Sequence, residues 1–144
     1  TEAAVLVGRV LERDGELATV ETDLGAVTAL LFEDGDRVQV TVRADAVTLH
    51  DPADAPTAGA SSARNRFHGV VVDVDRRASV AIVRVEGEDG SASLNAAGVA
   101  DAADGSPVTL PVLVTRDSVE RLGLEPGREV VATFKATATR ATTV

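Results

Sequence analysis

Short runs of β-branched residues, each followed by a polar turn, constrain the fold of this chain more than any other feature. Val38, Val40 and Val42 alternate with polar residues, which is the period of a strand with one buried face. Pairs such as Asp14-Gly15 mark the turns between these runs. Because aromatics make up only 2% of the chain, the core has to be built from Val, Leu, Ile and Ala. The pattern predicts an all-β protein with strands at 4–11, 17–22, 26–32, 37–43, 67–74, 79–85, 108–114, 130–135 and 137–144.

A segment of different composition divides the chain. Residues 51–61 are rich in Pro, Ala, Gly and Asp, lack a periodic apolar pattern and are interpreted as a linker. Several short strands lie on each side, at a spacing typical of small barrels of the OB type. We therefore expect one small barrel from residues 1–50 and another from residues 62–144. Closure into barrels would also protect the edges of such short sheets.

The two segments are similar in sequence, which indicates an internal repeat. Residues 34–44 match residues 126–136, so that Arg43 falls where Lys135 falls. The first copy is about thirty residues shorter by the same alignment, which makes the predicted repeat a degenerate one.

One short helix is predicted at residues 117–122, in the second segment only. Thr115 or Asp117 would cap its start and Gly123 would end it. The stretch 91–107 is interpreted as a surface loop, or alternatively as one wall of a binding site.

Charge and composition exclude several classes of function. A net charge of -9 and a pI near 4.6 argue against a nucleic-acid partner, which requires a basic surface. No apolar run is long enough to span a membrane, and the start of the chain has no basic leader or hydrophobic region. The chain has no cysteine and no methionine, so we expect no thiolate metal site and expect a fragment or processed product.

No motif of a catalytic site is present. There is no nucleophile-elbow sequence and no phosphate-binding loop, so we expect neither an enzyme nor a bound cofactor. His50 and His68 are isolated, without a second metal ligand at a suitable spacing. The many acidic residues and the single lysine indicate a salt-adapted (halophile) protein, although a GC-rich genome would favour the same composition.

Two short polar motifs are the strongest candidates for a function. They are Ser62-Ala63-Arg64-Asn65 and Phe134-Lys135-Ala136-Thr137. Together they supply hydroxyl, amide, guanidinium and ammonium donors, and backbone N–H groups beside small side chains. A tetrahedral dianion offers only acceptors and needs such donors and positive charge. Taken singly, each motif is better explained by solvated surface cations and an asparagine in a turn, and only the joint pattern of motifs favours a binding site.

The order of motifs resembles the Mop/TOBE family of molybdate- and tungstate-binding domains. Between the two polar motifs come Gly69 and then Ser118-Val119-Glu120-Arg121-Leu122-Gly123-Leu124-Glu125-Pro126-Gly127. The resemblance covers residues 61–142 well and residues 3–50 more weakly. It implies OB-like barrels that pair between subunits and bind molybdate or tungstate at the subunit interfaces. The oxyanion-binding residues that it implies are Ser62, Ala63, Arg64, Asn65, Lys135, Ala136 and Thr137.

The same resemblance implies a cytoplasmic regulatory domain of an ABC importer, in its ATP-binding subunit. Its partners would be the oxyanion, a second copy of the chain, the ATPase domain and the permease, with membrane association only through that complex. Two alternatives stay open: a molybdate store or effector domain of a transcription factor, and a structural dimerisation domain whose site has decayed. Ala136 stands where many family members have serine, which removes one hydroxyl donor and favours the last of these.

Overall fold

The computed structural model describes residues 2–57, 59–87 and 109–144, and these residues are mostly β. The strands are β1 (Ala3–Asp14), β2 (Leu17–Thr22), β3 (Gly25–Leu31), β4 (Arg37–Arg43), β5 (Val47–His50), β6 (Asn65–Arg76), β7 (Val80–Gly87), β8 (Thr109–Thr115), β9 (Glu129–Phe134) and β10 (Thr139–Thr143). The helix α1 spans Arg116–Leu122, and 3-10 turns span Ala44–Ala46 and Ala136–Ala138. The all-β prediction with one short helix is confirmed.

Period-two alternation accounts for strands of the first sheet such as β2, β3 and β4. In β4, Val38, Val40 and Val42 are fully buried, the two residues between them are half-buried, and the residues at the two ends of the strand are exposed. Each such valine contributes about 1.5–3 kcal/mol when it leaves water, so the alternation fixes which face of the strand points inward.

The strands form two sheets, and each chain segment contributes its last strand to the sheet that is built mainly by the other segment. The first sheet is a closed barrel in the order β1-β2-β3-β10-β4, in which β4 pairs with β1. The second is a curled half-barrel in the order β5-β9-β6-β7-β8. Residues 62–144 therefore give β10 to the first sheet, and residues 1–50 give β5 to the second. Neither sheet is built from one predicted segment alone.

The internal repeat is visible in irregular features that recur at matching places. β1 has a bulge between Val10 and Glu12, and β6 has one between Val71 and Asp73. A 3-10 turn follows β4, and another follows β9. Identical bulges and turns at matching positions indicate that both segments share one backbone plan.

One hydrophobic core runs through both sheets. It consists mostly of Val, Leu and Ala, and its largest fully buried side chain is Phe134. The Phe134 ring stacks on Phe67, with 5.8 Å between ring centroids. A shared core means that the two sheets are packed as a single unit around the region where β6 and β9 meet.

Helix α1 begins and ends with the predicted caps. The Thr115 hydroxyl accepts a hydrogen bond from the Ser118 N–H at 3.1 Å. Gly123 closes the helix in the left-handed conformation, at φ 63°. The helix starts one residue before the predicted range, at Arg116.

Several strand bounds differ from the predicted ones by one or two residues, and β6 extends by two residues at each end. Three differences are larger. β1 extends to Asp14, three residues beyond the predicted end, because the turn takes up only residues 15 and 16. β5 was not predicted as a separate strand, since four residues carry too short a pattern. Residues 136–138 form a 3-10 turn before β10 begins at Thr139. The sequence also predicts a turn at 87–90, but Gly87 is the last residue of β7. The rest of that turn, the stretch 91–107 and residue 108 lie outside the described residues.

Candidate anion-binding site

The fold brings the two polar motifs to one edge of the second sheet. Asn65 opens β6 and pairs in register with Phe134, the last residue of β9. Because these strands are antiparallel, the residues that precede β6 and the residues that follow β9 lie side by side. Ser62 and Ala63 therefore meet Lys135 across the strand pair, within one chain.

An open hollow, which we call the Lys135 hollow, lies at this edge. It has a volume of about 290 Å³. Its lining includes Ser62, Ala63 and Lys135 from the predicted set, together with Thr133 and His50. Ser62 and Lys135 are exposed, so their polar groups are accessible to a ligand.

A second hollow, the Arg64 hollow, adjoins the first. It has a volume of about 190 Å³ and is lined by Arg64, Arg66 and Thr57. The two hollows share Ala63 and Thr133, so the cations of both surround one continuous surface. Arg64 itself does not line the Lys135 hollow.

The charges at this surface favour an anion. No carboxylate lines either hollow among the described residues, although the chain has 23 acidic residues. In the described part of the chain, neither Arg64 nor Lys135 has an ion pair or a side-chain hydrogen bond. Arg43, which occupies the matching position in the first segment, is instead neutralised by Asp45 at 2.6 Å.

The acidic residue nearest in sequence to His50 is held away from the hollow. Asp51 accepts hydrogen bonds from the Ala53 N–H at 2.9 Å and from the Arg128 guanidinium at 2.7 Å. The Ala53 N–H, followed by Arg128, lowers the pKa of Asp51 below its ordinary value. The carboxylate therefore stays ionised, but its charge is directed toward Arg128.

Asn65 has a structural position. Its side chain is 3% exposed, and its Oδ1 accepts from the Thr28 N–H at 2.8 Å. Its Nδ2 donates to the Thr28 carbonyl oxygen at 2.9 Å. Both polar ends of the amide therefore bind the backbone of β3, in the other sheet. One of the two N–H donors of this amide is engaged there, and the side chain is too buried to face the hollows freely.

The remaining predicted residues differ in their access to a ligand. The Ala63 N–H donates to the Ser61 hydroxyl at 3.1 Å, so a ligand would have to replace that bond. Ala136 is buried in the 3-10 turn, whereas Thr137 is exposed. Neither of these two lines the Lys135 hollow.

Sequence reasoning did not identify Thr133 or His50 as part of this site. Their side chains are in contact, with 2.9 Å between Thr133 Oγ1 and His50 Nε2. Thr133 carried a weak signal, because it is the polar residue inside the apolar run 130–134. His50 carried none, since 83 residues separate it from its partner.

Other kinds of site are not found in the described residues. They contain no group of three or more His, Asp or Glu side chains that could hold a metal ion. Within the same residues, no helix is long and apolar enough to cross a membrane.

Comparison with known proteins identifies the family. Residues 61–141 match the TOBE domain, and the chain belongs to that family. It is a family of binding domains and not of enzymes, as the sequence predicted.

Among solved structures, the fold resembles a crystal structure of the cytoplasmic molybdate-binding protein ModG, a PEG-grown form with molybdate bound. The TM-score is 0.72 at 19% identity, over 99% of this chain and 96% of that one. No curated protein matches the sequence significantly. The likeness to ModG establishes the two-sheet fold, and the predicted Mop/TOBE fold is confirmed.

Proposed function

We propose that this chain binds a tetrahedral oxyanion, molybdate or tungstate, at the edge where the two polar motifs meet. The observation that carries the proposal is a pair of cations, Arg64 and Lys135, that have no ion pair among the described residues and line two hollows without a described carboxylate. Arg64 also borders a third hollow, which is lined by Glu12 and Asp14. Such a local excess of positive charge at the first two hollows stands out in a chain of net charge -9. A bound anion would balance it.

Each motif residue has a role that its position allows. At the Lys135 hollow, the Ser62 hydroxyl and the Lys135 ammonium group donate hydrogen bonds to the anion. Arg64 supplies a planar fork of donors from the adjoining hollow. Ala63 adds its backbone N–H in exchange for its bond to Ser61, and Asn65 fixes the strand that carries these residues. Ala136 and Thr137 line neither hollow, so they would add donors only from outside both.

The open shape of the hollows supports a site shared between copies of the chain. A dianion bound in one chain alone would keep much of its hydration, and each donor would then contribute little. A second copy placed over the edge would exclude water and add its own donors. We therefore propose a homodimer or higher homo-oligomer, as the family resemblance implies.

For the cellular setting, we propose the cytoplasmic regulatory region of an ABC importer ATP-binding subunit. There the anion would stabilise the paired regulatory domains and shift the transporter toward an inhibited state, which is a linkage between binding and assembly. A tenfold shift requires about 1.4 kcal/mol of differential affinity. Contact with the membrane would then be indirect, through the permease.

A free-standing oxyanion store is the second candidate. The likeness of its fold to that of ModG supports it, since that structure is described as a cytoplasmic molybdate-binding protein. The size of the protein in extracts of its natural source separates the candidates. A species near 14.8 kDa would favour the store, and a much larger one would favour the importer subunit.

The direct test is isothermal titration of the chain with molybdate, tungstate and sulfate at high salt. We expect molybdate or tungstate to bind with micromolar or tighter affinity, sulfate to give no heat, and Arg64→Ala/Lys135→Ala to lose binding. The matched control is Arg37→Ala/Arg76→Ala, which removes the same charge from two exposed arginines outside both hollows. Absence of binding to all three anions would refute the proposal and favour a structural dimerisation domain.

A further inference from the structure

Both histidines of the chain lie on the face of the second sheet that carries the hollows. His50 of β5 and His68 of β6 each pair with Val131 of β9, and so form one row across three strands. Two residues further along β9, the next row on the same face contains Thr133 and Arg66. Residues in register on neighbouring strands project from the same face, so this face combines imidazole, guanidinium and hydroxyl groups.

His50 is the histidine that reaches the Lys135 hollow. It lines the hollow together with Lys135, and its Nε2 lies 2.9 Å from Thr133 Oγ1. Thr133 is only 5% exposed, which holds its hydroxyl in place. His68 lies outside both hollows and contacts Arg66, with 3.3 Å between His68 Nε2 and the guanidinium.

The charged groups around His50 are almost all positive. Lys135 lines the same hollow, Arg64 and Arg66 line the adjoining one, and His68 lies in the same row. The neighbouring carboxylate, Asp51, is bound to Arg128. Without an anion, protonation of His50 adds a positive charge to a cationic surface. With an anion in the hollow, the same proton is stabilised.

We propose that His50 is an anion-binding residue of the Lys135 hollow and that its protonation tightens binding, with Thr133 as the positioning residue. The inference rests on the proposed function and deepens it. It adds a pH dependence that the two polar motifs do not contain.

Protonation of His50 has a second effect, which acts through its hydrogen bond to the Thr133 hydroxyl. When Nε2 of neutral His50 is unprotonated, it accepts the hydroxyl hydrogen of Thr133. When Nε2 is protonated it becomes the donor, and Thr133 Oγ1 accepts. The hydroxyl hydrogen is then released and can be donated to the oxyanion. Protonation thus adds one positive charge and one donor to the same hollow.

The test is titration with molybdate at pH 8 and pH 5.5, at one ionic strength, in wild type, His50→Gln, Thr133→Val and His68→Gln. Imidazole side chains ordinarily change charge between about pH 5 and 8, so we expect binding to wild type to be about tenfold tighter at the lower pH. His50→Gln should lose that difference, and Thr133→Val should reduce it. His68→Gln should keep it, because it removes an equivalent titratable group outside the hollows.

A wild type that binds equally at both pH values would overturn the inference and leave the proposed function intact. Retention of the full pH difference by His50→Gln would also overturn it. No binding at either pH would instead refute the proposed function itself. If His50→Gln fails to fold, proton NMR of wild type decides, because only two imidazole signals need assignment. Molybdate should shift the imidazole resonances of His50 and leave those of His68 in place.

Discussion

Replacement of Asn65 by alanine should destabilise the protein, because the side chain joins the two sheets. It makes two hydrogen bonds to the backbone of Thr28, at 2.8 and 2.9 Å. Each such bond contributes about 1 kcal/mol net, so we expect Asn65→Ala to lower the free energy of unfolding by about 2 kcal/mol. With a urea dependence of about 2 kcal/mol/M, the unfolding midpoint should fall by about 1 M.

The assay is equilibrium urea denaturation, followed by far-ultraviolet circular dichroism, with Ser62→Ala as the control. Ser62 is exposed and has no hydrogen bond within the described part of the chain, so its variant should stay within about 0.5 kcal/mol of wild type. An unchanged midpoint for Asn65→Ala would refute the structural role. If that variant kept its stability and lost anion affinity, Asn65 would be a direct ligand.

Three further changes should affect stability. Gly8→Ala would press a Cβ against the carbonyl oxygen of Glu21, so its free energy of unfolding, measured by the same urea assay, should fall by at least a typical overpacking cost of about 1–3 kcal/mol. Thr115→Ala removes the cap of α1 and should cost about 1 kcal/mol by the same assay. Glu33 accepts the backbone N–H and hydroxyl of Thr143, in this order of effect, and these lower its pKa below 4.5. Its contribution is therefore present above pH 4.5 and lost as the pH falls through the lowered pKa, so Glu33→Gln should lose less stability than wild type between about pH 5 and 3.

Matched controls distinguish these effects from general sensitivity to substitution. Arg9→Ala, beside Gly8, and Thr142→Ala, on an exposed strand position, should both stay near wild type. Glu16→Gln should keep the acid sensitivity of wild type, because in the described residues its carboxylate has no partner. Equal loss in a control and in its variant would contradict the assigned contact.

Much of the fold could be predicted from local pattern, because buried residues alternate with more exposed ones in several strands and form continuous apolar runs in others. The valines of β4 are an example, and the caps of α1 were read from single residues in the same way. β5 and the turn at 136–138 could not be found by such reasoning. A strand of four residues has too few alternations, and a 3-10 turn among alanine and threonine has no sequence signal of its own.

The exchange of last strands marks the limit of sequence reasoning about the site. The motif residues could be found because they stand together in sequence, and the pairing of β6 with β9 then brings both motifs to one edge. His50 reaches that edge only because β5 leaves its own segment and pairs with β9. This pairing depends on the packing of the shared core, which no local pattern records. The same exchange makes residues 1–50 part of the candidate site, so a protein truncated to residues 62–144 would retain both polar motifs and lose His50.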